Sequence, residues 1–344
     1  MSNRKNLGLG VLGLVALLLP IVVRDQYVLH IAVITFIYVG VTVAWNLMAI
    51  GGTLSLGHAA FFGVGAYTVA ILYVNLGVNP WVGILAAMVT AAAASMVLAI
   101  PLLRLRGPFF TLASLAFVEV LRLLSVWAVP LTNGSVGITT PYDQGFAFIS
   151  FENREPYYYI VLAMVILAVG FSVWLYNSRT GYHLRAMKTD EEAIRALGVH
   201  TNGLKVGTLA ISAAITGAFG AFSALYLFVI EPETQFSMTL YSVQPALNGI
   251  IGGMGTVVGP IVGALLMTPL GEWLRTSFSG VQGLNFMIYG LALIVIVRLM
   301  PGGLVDGWQK LRGKWGRGAT KPNHTDEADA SSRESATASA KDGE

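Results

Sequence analysis

The sequence predicts an all-α fold, a polytopic transmembrane helix bundle of about eight full spans plus a re-entrant helix pair. Three observations predict it. Of 344 residues, 55% are hydrophobic and 11% charged, with mean hydropathy +0.68. An average soluble domain carries about 25% charged residues, so this chain has too little polar surface to coat a water-facing globule. Apolar runs of the roughly 20 residues that a spanning helix needs recur along the chain. Lysine and arginine gather in alternate loops between those runs, the asymmetry that orients membrane proteins.

The elements follow in order. Arg4 and Lys5 precede an apolar run at 7–23 that imitates a signal peptide. The run ends in Pro20-Ile21-Val22-Val23-Arg24 without a small-residue cleavage pattern, so we read an uncleaved first helix. Further spans are predicted at 28–50, 57–76, 81–103, 108–127, 157–176, 206–230 and 284–300. Gly51-Gly52, Gly77 to Pro80 and Gly107-Pro108 punctuate them as turns. Tyr157-Tyr158-Tyr159 reads as an interfacial aromatic belt. With both termini in the cytoplasm, 17 of the 21 basic residues fall on the cytoplasmic side. Residues 128–156 then form an external loop and 177–205 a cytoplasmic one. From Ala319 the chain is rich in Ser, Ala, Asp and Glu without apolar periodicity, so 1–318 reads as the transmembrane domain and 319–344 as a disordered tail.

Residues 241–275 need separate treatment. Crossing once would push the basic segment from Lys310 to Lys321 outside, against the charge bias. Crossing twice fails on length, because 35 residues of helix reach only about 52 Å and two crossings need about 60 Å. Gly252-Gly253-Met254-Gly255 and Gly259-Pro260 break the run. The pattern predicts a half-helix at 241–251, a glycine turn and a return to Arg275. Irregular backbone at membrane depth requires protein or water around it, which places this pair at the bundle interior.

Thr189-Asp190-Glu191-Glu192 has the form of a capping box, with Thr189 as the cap. The helix it opens runs through Ala193-Ile194-Arg195-Ala196-Leu197 and stops at Gly198. Two turns are unstable alone, so Ile194 and Leu197, three apart on one face, need a surface. That surface is either the protein's own or a partner's groove. Glu119 and Arg122 are opposite charges deep in one span and meet at i, i+3; they either anchor the helix or gate a pathway. His58 beside Gly57 suits an interhelical hydrogen bond, with a translocation role as the alternative. No G-x-x-x-x-G-K-[ST] run, nucleophile elbow or H-E-x-x-H spacing occurs, so any ATP-derived energy comes from another chain.

The run from Arg179 to Ser212, centred on Glu191-Glu192-Ala193-Ile194-Arg195-Ala196-Leu197-Gly198-Val199, resembles the coupling loop of bacterial ABC importer permeases. Gly52-Thr53-Leu54-Ser55-Leu56-Gly57-His58-Ala59-Ala60-Phe61-Phe62-Gly63, Thr111 to Leu124, Thr132-Asn133-Gly134-Ser135-Val136-Gly137-Ile138 and Arg298-Leu299-Met300-Pro301-Gly302-Gly303-Leu304 narrow the resemblance. Over about residues 28–305 the chain is similar to the branched-chain amino acid permease family, M-type subunit. Asn133 stands where that family suggests glycine, Ile194 where the general coupling pattern has alanine, and the proline that often follows is missing.

The resemblance implies a transport subunit, not an enzyme, in a bacterial inner membrane. It would pass branched-chain aliphatic amino acids by alternating access. Partners implied are ABC ATPase subunits holding ATP and Mg, a second homologous permease subunit and an extracytoplasmic solute-binding protein; no cofactor is implied on this chain. Glu191, Glu192, Ala193, Ile194, Arg195, Leu197 and Gly198 would couple to the ATPase. Candidate pathway or gating residues are Gly52, Ser55, His58, Glu119, Arg122, Asn133, Gly134, Gly252 and Gly253. A urea, amide or sugar importer permease is the rival within the class, and an ion-coupled secondary transporter the rival outside it.

Overall fold

Helix ends are set locally by the residues the turns predict. In the computed structural model, which describes residues 25–105, 107–277 and 303–307 with scattered positions at 17–20 and 287–298, the Asp25 carboxylate caps α1 (Gln26–Ile50) by accepting from the Tyr27 N–H. Gly77, left-handed at φ 62°, ends α2 (His58–Leu76). Asn79 and Pro80 open α3 (Pro80–Arg104), and Gly107-Pro108 opens α4 (Pro108–Trp127). α5 spans Glu155–Asn177 and α8 spans Thr201–Leu227. These six are the described helices long and apolar enough to cross a membrane, and each falls on a predicted span. α8 stops short of the predicted 230 because Phe228 turns left-handed at φ 63° into a two-residue strand. The runs at 7–23 and 284–300 and the tail at 319–344 lie outside the described residues.

α2, α3 and α8 form the tightest part of the bundle. Small residues permit it: a Cβ at Gly65 would lie 2.1 Å from the Gly217 carbonyl oxygen, so the α2 and α8 backbones touch. α1 packs along the other side of α8 and against α5. α4 is peripheral, with 22% of its apolar window buried against 72% for α1 and 78% for α8.

At one end of the bundle lie α6 (Arg179–Thr189) and α7 (Glu191–Ala196); we call it the loop end. At the other, β1 (Ile138–Thr139) pairs antiparallel with β2 (Val229–Ile230), forming the ribbon end.

The two helical legs and glycine turn predicted for 241–275 are present, with unequal legs. A π-turn at Thr239–Val243 runs into α9 (Gln244–Gly252), and after a glycine turn α10 (Val258–Ser277) returns. Its tip is fixed to the last turn of α1, where Asn46 Nδ2 donates to the Thr256 carbonyl and Gly255 N–H donates to Asn46 Oδ1, both at 2.8 Å. Its far end is fixed to the first turn of α1, where the Tyr27 hydroxyl lies 2.8 Å from Thr276 Oγ1. The return leg therefore runs the length of α1, about 30 Å for 20 residues. The first leg is shorter because a one-turn helix at Pro232–Gln235 has already carried the chain to the level of Arg122.

Candidate functional site

α6 is glued to the bundle. Leu184 and Met187 are buried with Leu47, Ile50 and Leu175, and the Arg185 guanidinium lies 4.1 Å above the Tyr176 ring while donating to the Tyr176 carbonyl. Because α6 extends through Thr189, that residue does not cap α7. Asp190, extended at φ −152° and ψ 105°, is the cap instead, and its carboxylate accepts from the N–H groups of Glu192 and Ala193 at 2.9 and 3.0 Å.

α7 is then pinned by charge. Lys205 Nζ donates to both Glu191 carboxylate oxygens at 2.8 and 2.7 Å, and Arg195 donates to Glu191 at 2.9 Å and to Thr201 at 3.2 Å. Partial burial opposes the Glu191 charge, but the Lys205 hydrogen bond and charge, with Thr201 and Arg195, more than offset it and hold the carboxyl below its ordinary value. Gly198, at φ 83°, ends the segment as predicted. The predicted pairing of Ile194 with Leu197 on one face is corrected. Ile194 is 9% exposed, whereas Leu197, the C-cap that follows Ala196, is 78% exposed.

Five of the nine pathway candidates gather near the loop end. Gly52 lies under the stem of Lys188, whose Cγ would be 3.1 Å from a Cβ there. Ser55 is buried, and its carbonyl accepts from Trp45 Nε1 at 2.9 Å. His58 is fully buried, 2.8 Å by Nε2 from Ser212 Oγ, which donates to the Ala44 carbonyl at 2.7 Å. With its one proton committed to Ala44, Ser212 must accept from the imidazole, so His58 carries its proton on Nε2 and joins α2, α8 and α1. The interhelical reading of His58 accounts for this geometry. Gly252 and Gly253 form the turn itself: a Cβ at Gly252 would lie 1.8 Å from the Gly259 carbonyl, and one at Gly303 would lie 2.6 Å from Gly253 Cα. Gly303 of the closing motif thus seats on the glycine turn.

Lys188 connects these parts, since its Nζ also lies 3.3 Å from the position of a Gly255 Cβ. A cleft of about 600 Å³ opens beside it, lined by Gly52, Leu54, Thr111, Lys188, Glu191 and Lys205 among others.

The remaining candidates lie toward the ribbon end. Arg122 Nε donates to Glu119 Oε2 at 3.0 Å, and the guanidinium also bonds Glu233. The predicted buried pair is thus corrected to a triad that is not buried: the side chains of Arg122, Glu119 and Glu233 are 20%, 40% and 74% exposed. Asn133 sits left-handed at φ 61° with Nδ2 donating to the Gly137 carbonyl at 3.0 Å, and Gly134 follows at φ 62°. Asparagine is the best-tolerated substitute for glycine in that conformation, so the departure at 133 preserves the turn. Neither residue reaches the loop-end group.

Sequence reasoning missed Asn46, Lys188, Glu233 and Gln235. Asn46 was signalled as the amide inside an apolar run. Gln235 is fully buried with neither side-chain oxygen nor nitrogen partnered, and nothing local signals it.

A family model described as branched-chain amino acid transport system, permease component, matches residues 27–297. The chain is 29% identical over 299 residues to the high-affinity branched-chain amino acid transport system permease protein LivM of Escherichia coli (strain K12), covering 80% of this chain and 69% of that protein. It is 26% identical over 287 residues to a probable branched-chain amino acid transport permease protein LivM of Methanocaldococcus jannaschii, covering 75% and 81%. It is 26% identical over 267 residues to the ribose import permease protein RbsC of Escherichia coli (strain K12), covering 74% and 81%. No solved structure matches.

Proposed function

The chain belongs to the family of branched-chain amino acid transport system permease components, and on that premise we propose that it is the translocating subunit of an ATP-driven importer of aliphatic amino acids. It is a multi-pass membrane protein with a transport role. The finer reading places both termini and the loop end in the cytoplasm and an ATPase, holding ATP and Mg, against α7. A solute-binding protein delivers from the ribbon end, and a second permease subunit completes the path.

The observation that carries this reading is Leu197. A leucine 78% exposed at the tip of a two-turn segment is costly to leave in water, and burying it gains about 1.5–3 kcal/mol. The segment around it is held, by Glu191 to Lys205 at the start of α8 and by the neighbouring Lys188 over the glycine turn. A push at Leu197 therefore bears on the tip of the re-entrant pair, which is what mechanical coupling between an ATPase and a pathway requires. An ion-coupled secondary transporter has no use for this device, and co-purification of an ATPase separates the two.

For the solute, the inner turns offer Gly, Ala, Phe and Ile. A sugar's hydroxyls would lose hydrogen bonds there at about 1–3 kcal/mol each, whereas an aliphatic side chain loses none. The likeness to a ribose permease makes this the point to test. Vesicles holding the full complex should take up radiolabelled leucine with ATP, competed by isoleucine and valine but not by ribose. Uptake competed by urea or ribose and indifferent to leucine would sink the amino-acid assignment and leave the importer mechanism standing.

A further inference from the structure

Three spans leave a slot between them. α3 packs on α2 and α8, whereas α5 leans on α1 and touches α8 only lightly. Small residues draw α3 onto α8 and away from α5. A Cβ at Gly217 would lie 2.5 Å from Ala91 Cβ and 2.9 Å from the Ala87 carbonyl oxygen, so the two helices meet at backbone distance. Beside that contact, Ala214 and Ala218 of α8 and Ala168 of α5 are too short to refill the gap. What remains is a slot of about 840 Å³. It runs from Trp81, in the first turn of α3, to Phe171 and Ile211. Each of those two stands about 24 Å along its helix from the ribbon end. Leu85 and Leu167 line the slot and are themselves exposed, so it is continuous with the outer surface of the bundle.

We propose that this slot binds the hydrocarbon tail of a bilayer lipid, which takes the place of the packing that α3 and α5 do not give each other. The inference requires that the protein spans a membrane and nothing about its solute. Three features support it. The first is complementarity: the described lining residues carry no charge, and the indole N–H of Trp81 is already given to the Phe146 carbonyl at 3.0 Å. Water needs two or more polar partners to occupy a cavity, so this one does not hydrate, and left empty it forfeits dispersion contacts along its whole wall. The second is continuity, since the slot opens on the surface that multi-pass helices turn to lipid. The third is girth. A helix about 10 Å across would need about 1,900 Å³ over 24 Å, and the slot has less than half of that. A second copy or a partner's span is too thick to seat fully, whereas an acyl chain is thin and follows the curve of the wall.

The test uses the full chain in vesicles of phosphatidylethanolamine and phosphatidylglycerol, doped with a phosphatidylcholine that carries a diazirine in one acyl chain. Detergent then replaces loosely held lipid, and the sample is irradiated and mapped by peptide mass spectrometry. Adducts should persist at Met88 and on residues 211–219, which line the slot, and be lost from Leu112 on the exposed face of α4. Ala214→Phe fills the slot and should lose those adducts; Ala214→Leu, with a smaller side chain, replaces it where the ring impairs folding. Returning lipid to the stripped protein should raise the thermal midpoint of the parent and leave that of the filled variant unchanged. Slot residues labelled no more than Leu112 would mean bulk lipid contact only and would overturn the inference. So would a slot that stays unlabelled because another stretch of protein covers it, or adducts that survive Ala214→Phe undiminished.

Discussion

Replacing Asn46 by alanine should release the tip of the re-entrant pair. The side chain makes two hydrogen bonds to that turn, one to the Thr256 carbonyl and one from the Gly255 N–H, both at 2.8 Å. Each such bond contributes about 0.5–1.5 kcal/mol net. Asn46 is buried while Gly255 is half-buried and Thr256 exposed, so water partly replaces what is lost, and the sum is about 1–3 kcal/mol. Since about 1.4 kcal/mol is tenfold in an equilibrium, the turn should open roughly 5- to 150-fold more often. Hydrogen exchange at the Gly255 amide, followed by mass spectrometry on the purified complex, reads this directly. Asn46→Asp separates the two bonds: it keeps the acceptor for Gly255 and loses the donor to Thr256, so the Gly255 amide should stay better protected than in the alanine variant. Unchanged exchange at Gly255 in Asn46→Ala would show that the turn is held by backbone packing alone, refuting the latch.

Leu197→Asp should alter stability by less than about 0.5 kcal/mol, as exposed substitutions do, yet abolish uptake and solute-stimulated ATP hydrolysis; normal uptake would reduce α7 to a packing element. Ile194→Ala, by contrast, should cost about 2 kcal/mol or more because the side chain is buried, visible as a lower thermal midpoint. Glu191, its carboxyl held down by Lys205, contributes stability that is present above the ordinary carboxylate value and lost as pH falls through the lowered one. Exchange protection of α7 should thus be flat from pH 7 to 5 and fall only in stronger acid, and Glu191→Gln should remove that acid dependence. Gln235→Met, which replaces a buried unpartnered amide by an apolar chain of similar shape, should raise stability by about 1–2 kcal/mol; a fall in thermal midpoint would mean that the amide is satisfied in the intact complex.

Composition and periodicity determined the class and the helices: a chain with 11% charged residues must bury its backbone in helices within lipid, and Gly, Pro, Asn and Asp at the turns stop those helices by local sterics. The break of 241–275 into two legs was legible as well, because Gly252-Gly253-Met254-Gly255 interrupts the apolar run. The cap of α7 was not, because whether Thr189 or Asp190 serves depends on where the preceding helix ends, and Leu184 and Met187 settle that by packing under α1 and α5. Nor could spacing separate Ile194 from Leu197, which are three apart on any helix; only the surface that α7 lies against decides that the first is buried and the second exposed. Glu233 lies 111 residues from Arg122, and Gly255 lies 209 from Asn46. Hydrogen bonds at such separations exist only after the backbone has been brought together, so the tertiary structure alone decides which polar residue in an apolar run finds a partner.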